Sequence, residues 1–297
     1  MSVLVIGADG QLGSEFIVHA REANHDITGL THDDIEIADA EKLETVLDKH
    51  SFDTIINTAA YHGYNAYKDL KPKRYYEVNA FGPFFLGQYA KKNDKTLVHY
   101  STDYVFGGSS SNESFSEDDT PTPINMYGAS KLAGENLLAI SGCRYYAIRV
   151  ASVYGAKGCK AKDHSNFVEM ILAKLSRGEV AEVVDDIYMS PTSTRAIVVN
   201  TYELLKKGRR GLYHMAGSGR CSWYEFALEV ARLSPGSTES IQRISSHNMP
   251  QSIKRANNTA LVNAGLGELG ISLKPWQEYV AEYIGRKHFS PEWGQTR

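Results

Sequence analysis

The chain opens with an unbroken apolar run, Val3 to Ile6, that stops on Gly7, and its period then changes. From Gln11 to Ala23 the apolar positions Leu12, Phe16 and Ala20 recur at helical spacing. A short continuous apolar run ending in glycine predicts a strand buried on both faces, and the longer period predicts a helix. The alternation continues along the first half. Strands are predicted at Asp26 to Leu30, Thr54 to Asn57, Thr96 to Tyr100 and Tyr145 to Val150, and helices at Ala40 to Lys49, Pro72 to Asn93 and Ala129 to Ile140. Strands and helices taken in turn predict an α/β fold built on a doubly wound parallel sheet.

After Gly155 the pattern loosens into mixed helix and loop, with helical periodicity at Phe167 to Ser176, Thr194 to Lys206, Trp223 to Leu233 and Trp276 to Gly285. No Pro- or Ser-rich linker marks a boundary. Residues 1–155 are therefore expected to form a nucleotide-binding domain, to which a segment of roughly 180–210 returns. Residues 156–297 form a smaller, interleaved region that wraps over the crevice and mainly binds substrate. Trp223 and Trp276 open helices and are read as core anchors rather than sugar platforms. The polar, aromatic tail after Arg286 has no clear period.

At 297 residues, 42% hydrophobic and 23% charged, the chain is long enough to bury a full core. Its net charge of -3, with Lys and Arg scattered, leaves no basic stripe for nucleic acid or an anionic membrane. Three cysteines, Cys143, Cys159 and Cys221, lack the spacing of a redox pair or metal knuckle and fit a reducing compartment. The apolar N-terminal run is too short for a signal peptide, and no stretch approaches the roughly 18 residues of a membrane span. The expected location is the cytoplasm.

Chemistry gathers at the predicted strand ends. Gly7 permits a tight turn, Gly10 lets a pyrophosphate approach the backbone, and Gly13 lets helix and strand pack closely, so Gly7, Gly10, Gln11, Leu12 and Gly13 form a candidate phosphate cradle at a helix N-terminus. That makes the sheet Rossmann-like. The run Gly265-Leu266-Gly267-Glu268-Leu269-Gly270 has the better-known glycine spacing, but no strand leads into it and Pro275 follows, so it reads as a capped or looped short helix. Ala59-Ala60-Tyr61 and Ser101-Thr102 fall at two more strand ends, which would bring three loops to one crevice.

Tyr127 and Lys131 stand one helical turn apart. The spacing alone is weak, since Tyr64/Lys68, Tyr67/Lys71, Tyr202/Lys206 and Tyr283/Lys287 share it. Only the Tyr127 pair follows a strand-ending Ser-Thr and a glycine-rich first turn. Hydride reduction of a ketone leaves an alkoxide, so the site must deliver a proton as charge develops on oxygen, at a pH far below the usual tyrosine pKa of about 10. Lys131 can favour the phenolate and reach ribose hydroxyls, Tyr127 serves as general acid, and Thr102 can hold the substrate oxygen. The expected catalytic set is Thr102, Tyr127 and Lys131.

The chain resembles the extended short-chain dehydrogenase/reductases, and within them the dTDP-4-dehydrorhamnose reductase family. The resemblance runs along nearly the full length. It is carried by Gly7 to Gly13, Asn57 to Tyr61, Val78 to Ala80, His99 to Phe106, Tyr127 to Glu135, Val153 to Gly155, Asn166 to Val168, Pro191-Thr192 and Ser222 to Phe226. It implies NAD(P)H-dependent reduction of a 4-keto group on a nucleotide-linked 6-deoxyhexose, with Thr102, Tyr104, Tyr127 and Asn166 at the substrate. Asp103, Ser152 and Arg255 complete the expected substrate set, Arg255 as a clamp for a diphosphate. The resemblance also allows a homodimer. Some members bind magnesium between subunits; Glu15 matches one such position, but Arg195 stands where a second acid belongs, and no two of the ten histidines lie two to four residues apart. No metal is expected.

Three departures bear on the substrate. Ser152 replaces an expected aromatic wall, His62 to Lys68 replaces an acidic segment, and the stretch between Gly155 and Asn166, with Lys157, Lys160, Lys162 and His164, is longer than usual. Its charges are read as a solvated loop tip. For the cofactor, the second strand ends Leu30-Thr31-His32 rather than on the acid that selects NAD, so NADPH is expected to be preferred and NADH accepted. His32 would lie at the ribose phosphate, and Glu36 and Ile37 match the adenine contacts of the family. Two alternatives remain open: another nucleotide-sugar reductase or epimerase, and a regulatory subunit that binds NADP without turnover, like the methionine adenosyltransferase β subunit.

Overall fold

A computed structural model describes residues 1–62, 71–107, 113–158, 165–235, 237–248 and 255–289, with 287–289 as backbone only. Lys160, Lys162 and His164, the segment from Gly63 to Lys68, and the tail beyond 289 lie outside the described residues. The main elements in chain order are β1 (Val3–Ile6), α1 (Gln11–Ala23), β2 (Ile27–Leu30), α2 (Ala40–Leu47), β3 (Thr54–Asn57), α3 (Pro72–Tyr76) and α4 (Gly82–Lys92). A π-helical turn, Glu77–Phe81, joins α3 to α4. Next come β4 (Thr96–Thr102), α5 (Met126–Ser141), β5 (Arg144–Val150), β6 (Val153–Tyr154), α6 (Phe167–Ser176), β7 (Ala181–Val184), β8 (Tyr188–Met189) and β9 (Thr192–Ser193). The chain ends with α7 (Thr194–Lys207), β10 (Gly211–His214), β11 (Cys221–Ser222), α8 (Trp223–Arg232), β12 (Ile241–Ile244), α9 (Ala264–Glu268) and α10 (Trp276–Phe289).

Six strands pair in the order β10-β5-β4-β3-β1-β2, all parallel. The strand order reverses direction between β1 and β3, so the loops after these strands splay apart and leave a crevice at their carboxyl ends. The period-2 alternation of strand side chains divides the core. Val3, Val5, Val98, Tyr100, Tyr146 and Ile148 face one layer with Phe16 of α1 and Ile197 of α7. Leu4, Ile6, Ile55 and Leu97 face the other, with Leu43 of α2, Leu86 of α4 and Leu138 of α5. Both faces are covered, which is why these strands read as continuous apolar runs.

The second half holds more strand than its sequence period announces. β10 completes the main sheet beside β5, although Gly211-Leu212-Tyr213-His214 is too short to signal a strand by pattern. α7 and β10 pack with the main sheet, and Leu266, Ile271 and Leu273 join the same core. β7 instead pairs in parallel with β12, outside the main sheet, because Ala181 and Val183 are drawn into a separate core with Val168, Ile171, Phe226, Val230 and Trp276. That smaller core, under α6, α8 and α10, forms the roof of the crevice. Gly265 to Gly270 forms the short α9 and a left-handed turn at Gly270 (φ 72°). No helix among the described residues is long and apolar enough to cross a membrane.

Candidate active site

The floor of the crevice begins at the first turn. Gly7 has φ 81°, in the left-handed region, and a Cβ on Gly13 would stand 2.1 Å from the Gly7 carbonyl oxygen. Only glycine at both places lets α1 start directly over the turn. The Gly10 N–H closes that turn onto the Gly7 carbonyl at 2.9 Å. Thr58, which the sequence reading left without a role, braces it from the next loop by donating its hydroxyl to the Ile6 carbonyl at 2.8 Å. Gln11 Nε2 is buried without a partner. Leu12 packs partly into the core beneath.

The loop after β3 is held by a residue with no assigned role, Asn79 of the π-helical turn. Its side chain accepts from the Tyr61 N–H at 2.8 Å, donates to the Tyr61 carbonyl at 2.9 Å, and donates to Ser130 of α5 at 3.0 Å. Ala59, Ala60 and Tyr61 are thereby fixed beside α5. A buried asparagine in a helical run was the available signal for this bracket, because an amide out of water needs its partners specified.

Tyr127 lies in the first turn of α5, which begins three residues earlier than its period predicts. Asn125 caps that turn by accepting the Gly128 N–H at 2.8 Å. A Cβ on Gly128 would lie 2.0 Å from the Tyr104 carbonyl oxygen, so glycine there presses the helix start against the end of β4. The Tyr127 ring consequently meets Tyr104 edge to face (6.0 Å, 81°) and stacks on His62 (4.7 Å, 28°). His62 comes from the departing segment after Ala-Ala-Tyr and was not among the expected site residues.

Lys131 points inward from the next turn and is 1% exposed. Nζ donates to the Tyr100 carbonyl and lies 3.3 Å from His99 Nε2. Burial pulls its pKa down to about 7, with the Glu135 carboxylate opposing. Glu135 is largely occupied elsewhere, in a buried 2.7 Å ion pair with Arg149 and in accepting the Ser101 hydroxyl.

At the end of β4 the Thr102 hydroxyl donates to Asp103 at 3.1 Å and accepts the Tyr104 N–H at 3.2 Å. Asp103 makes contacts within the protein. It is 3% exposed and accepts Thr102 through one oxygen and Thr259 through the other, at 2.6 Å, tying the sheet to the roof. Burial pushes its carboxyl up to about 6, against those hydrogen bonds.

Two small cavities flank this point. Tyr104, Thr259, Arg255 and Met189 line the first, and Gln11, Tyr154 and Asn166 line the second. Ser152 and Trp223 line both. Ser152 has φ 42°. Trp223 packs on Phe167 at 4.6 Å, so it is a wall of the crevice as well as a core residue; Trp276 is core, as expected. Asn166 is buried with its amide committed: the oxygen caps α6 through the Glu169 N–H, and the nitrogen faces the Gly155 carbonyl at 2.9 Å and the Tyr283 hydroxyl at 3.5 Å. It shapes the wall of the second cavity.

At the far end, His32 is exposed at the close of β2. Asp34, in the turn after β2, accepts both the N–H and the hydroxyl of Thr31 at 2.8 Å. Glu36 pairs with Arg74 and accepts the Ala38 N–H at 3.0 Å. The Ile37 side chain is 3% exposed and packs in the lower core, with its Cδ1 against Gly82, so only its backbone is available to an adenine. Glu15 is buried under the crevice, where it accepts Thr194 at 3.1 Å and faces Arg195 at 3.6 Å.

Residues 1–288 match the model of the RmlD substrate binding domain family. The spore coat polysaccharide biosynthesis protein SpsK of Bacillus subtilis is 31% identical over 282 residues, which cover 95% of this chain and 96% of that protein. The dTDP-4-dehydrorhamnose reductase of Burkholderia thailandensis is 31% identical over 295 residues, covering 93% and 96%. Among solved structures, the dTDP-4-dehydrorhamnose reductase of Bacillus anthracis, in complex with NADP, aligns with a TM-score of 0.88 at 28% identity, covering 96% of this chain and 100% of that one.

Proposed function

The chain belongs to the RmlD substrate binding domain family, and from that premise we propose that it is an NAD(P)H-dependent reductase of the 4-keto group of a nucleotide-linked 6-deoxyhexose. The observation that carries this reading is the meeting of a glycine-only turn with a half-buried tyrosine and a buried lysine at the end of β4. The names of the Burkholderia and Bacillus anthracis relatives support the substrate class, and the span of the match over both halves supports a complete crevice.

A nicotinamide cofactor fits the residues present. Glycine at Gly7 and Gly13 lets α1 start directly over the strand end, and the buried Gln11 amide there lacks a partner. Gly10, Gln11, Leu12 and Gly13 would hold the diphosphate at the α1 N-terminus. Ala59, Ala60 and Tyr61 would border the cofactor on the other side of the switch point. The bound nicotinamide supplies the hydride.

The remaining tasks fall to side chains. Tyr127 gives its proton to the sugar oxygen as negative charge develops there, and Lys131, when protonated, stabilises the phenolate left behind. Thr102 positions the same oxygen. With Asp103 ionised, the Thr102 proton is directed away from the crevice; with Asp103 protonated, the acid can donate to Thr102 and release that proton toward the substrate. Ser152, Trp223 and Arg255 form the sugar-nucleotide wall. Asp34 is engaged with Thr31 and His32 is exposed, which supports a preference for NADPH over NADH. A Michaelis constant for NADH well below that for NADPH would contradict the preference.

The test is loss of NADPH absorbance with dTDP-, GDP-, UDP- and CDP-linked 4-keto-6-deoxyhexoses offered in turn. Turnover with one of them establishes the reductase and names the base. Tight NADPH binding with no turnover against any would overturn the reading in favour of a binding subunit.

A further inference from the structure

Three buried side chains cross the sheet beneath Tyr127: Asn57 at the end of β3, His99 within β4 and Lys131 in α5, exposed by 0%, 0% and 1%. Their order of donation can be worked out from one end. Asn57 Oδ1 accepts the Ala59 N–H at 3.1 Å, which fixes which way the amide faces. Its Nδ2 therefore stands 3.1 Å from His99 Nδ1. An amide nitrogen only donates, so Nδ1 must be the ring acceptor and the ring proton must sit on Nε2. Nε2 in turn lies 3.3 Å from Lys131 Nζ. An N–H facing an ammonium sets donor against donor. Facing a neutral amine, it meets a lone pair, while Nζ still donates to the Tyr100 carbonyl.

We propose that Asn57 and His99 act as a positioning pair, fixing the imidazole tautomer so that Lys131 is held as an uncharged amine in the free protein. The lysine's charge, and with it the acidity of Tyr127, is then set by the pair from below. Other groups around Lys131 do not reverse this. Tyr127 and Glu135 face it from its own helix, and Glu135 is paired with Arg149 of β5. His62 reaches Tyr127 from the loop after β3 by stacking. On β4 Lys131 meets His99 and the Tyr100 carbonyl. Burial holds the imidazole well below its usual range, so the ring carries a single proton and the tautomer is a real choice.

The consequence for catalysis rests on the reductase reading; the tautomer and the lysine's titration do not. Long-range proton–nitrogen NMR spectra of the full chain, labelled at histidine and without cofactor, should show His99 protonated on Nε2. Lysine-labelled protein should show Lys131 titrating far below the ordinary value of about 10.4. In Asn57→Asp, one carboxylate oxygen still accepts the Ala59 N–H and the other accepts from Nδ1, so the ring proton should move to Nδ1 and the Lys131 midpoint should rise by about 1–3 units. In His99→Phe, which removes the facing N–H without adding charge, the midpoint should also rise. A wild-type His99 protonated on Nδ1, or a wild-type Lys131 titrating near its ordinary value, would overturn the proposal even if neither variant folded. Unmoved midpoints in both folded variants would overturn it as well. Where turnover is measurable, the alkaline limit of kcat should follow the Lys131 midpoint upward in Asn57→Asp; absence of turnover in the wild type would count against the reductase reading and leave the NMR result standing.

Discussion

The two walls of the crevice are made by different means. On the sheet side, every residue of the candidate site stands at or just beyond the end of a parallel strand, or on the helix packed against it, and is fixed by buried hydrogen bonds: Asn79 to Tyr61, Asn125 to Gly128, His99 to Lys131. On the roof side, the lining comes from short strands, loops and helix starts around a separate core, and residues such as Trp223 serve packing and lining at once. Rigid placement suits proton transfer, which is sensitive to small displacements. The roof can vary in its side chains without moving the chemistry. Substrate choice should therefore reside in the roof and reaction type in the sheet.

The sharpest way to break this division is Tyr127→Phe. The expected outcome is a loss of about 10²–10⁴-fold in kcat, with NADPH affinity, read by fluorescence titration, little changed. A comparable loss of binding would show that the tyrosine serves mainly to hold the cofactor.

A smaller effect is expected at Asp103, where the two walls are joined. Its folded pKa is raised to about 6 from 3.8, chiefly by burial. The folded state thus binds the proton more tightly than the unfolded chain, so the stabilising contribution is fully present below about pH 4 and is lost as pH rises to about 6. Urea unfolding should show wild-type stability falling by about 2–3 kcal/mol across that window relative to Asp103→Asn. Parallel pH profiles for the two proteins would mean the carboxylate is solvated in solution.

Smallest is the roof itself. Trp223→Ala should raise KM for the sugar nucleotide by about tenfold, or ~1.4 kcal/mol, with kcat nearly retained. A fall in kcat matching that of the tyrosine variant would erase the distinction between the walls.

The same contrast governs what the sequence makes legible. Strands buried on both faces announce themselves as apolar runs, so β1 and β3 and the glycine turn over α1 are readable from pattern. β10 is not, because four residues with a glycine and a histidine carry no period. The Tyr127/Lys131 pair stands out through its context, whereas Asn79, His62 and Thr259 act through contacts with residues distant in sequence. Asp103 and Asn166 stand beside the site as well, and their contacts with residues distant in sequence are likewise visible only in the fold. Ile37 reads as an adenine contact until its side chain is seen in the core.

The most direct test of the account is the fate of the hydride. NADPH carrying deuterium at the transferable nicotinamide position would be supplied with the nucleotide-linked 4-keto-6-deoxyhexose that supports turnover, and the product analysed by mass spectrometry and NMR. The account predicts one deuterium in each product sugar, on carbon 4, with the new hydroxyl proton drawn from solvent through Tyr127. Oxidation of the cofactor without deuterium at that carbon, or no oxidation with any such sugar, would contradict it.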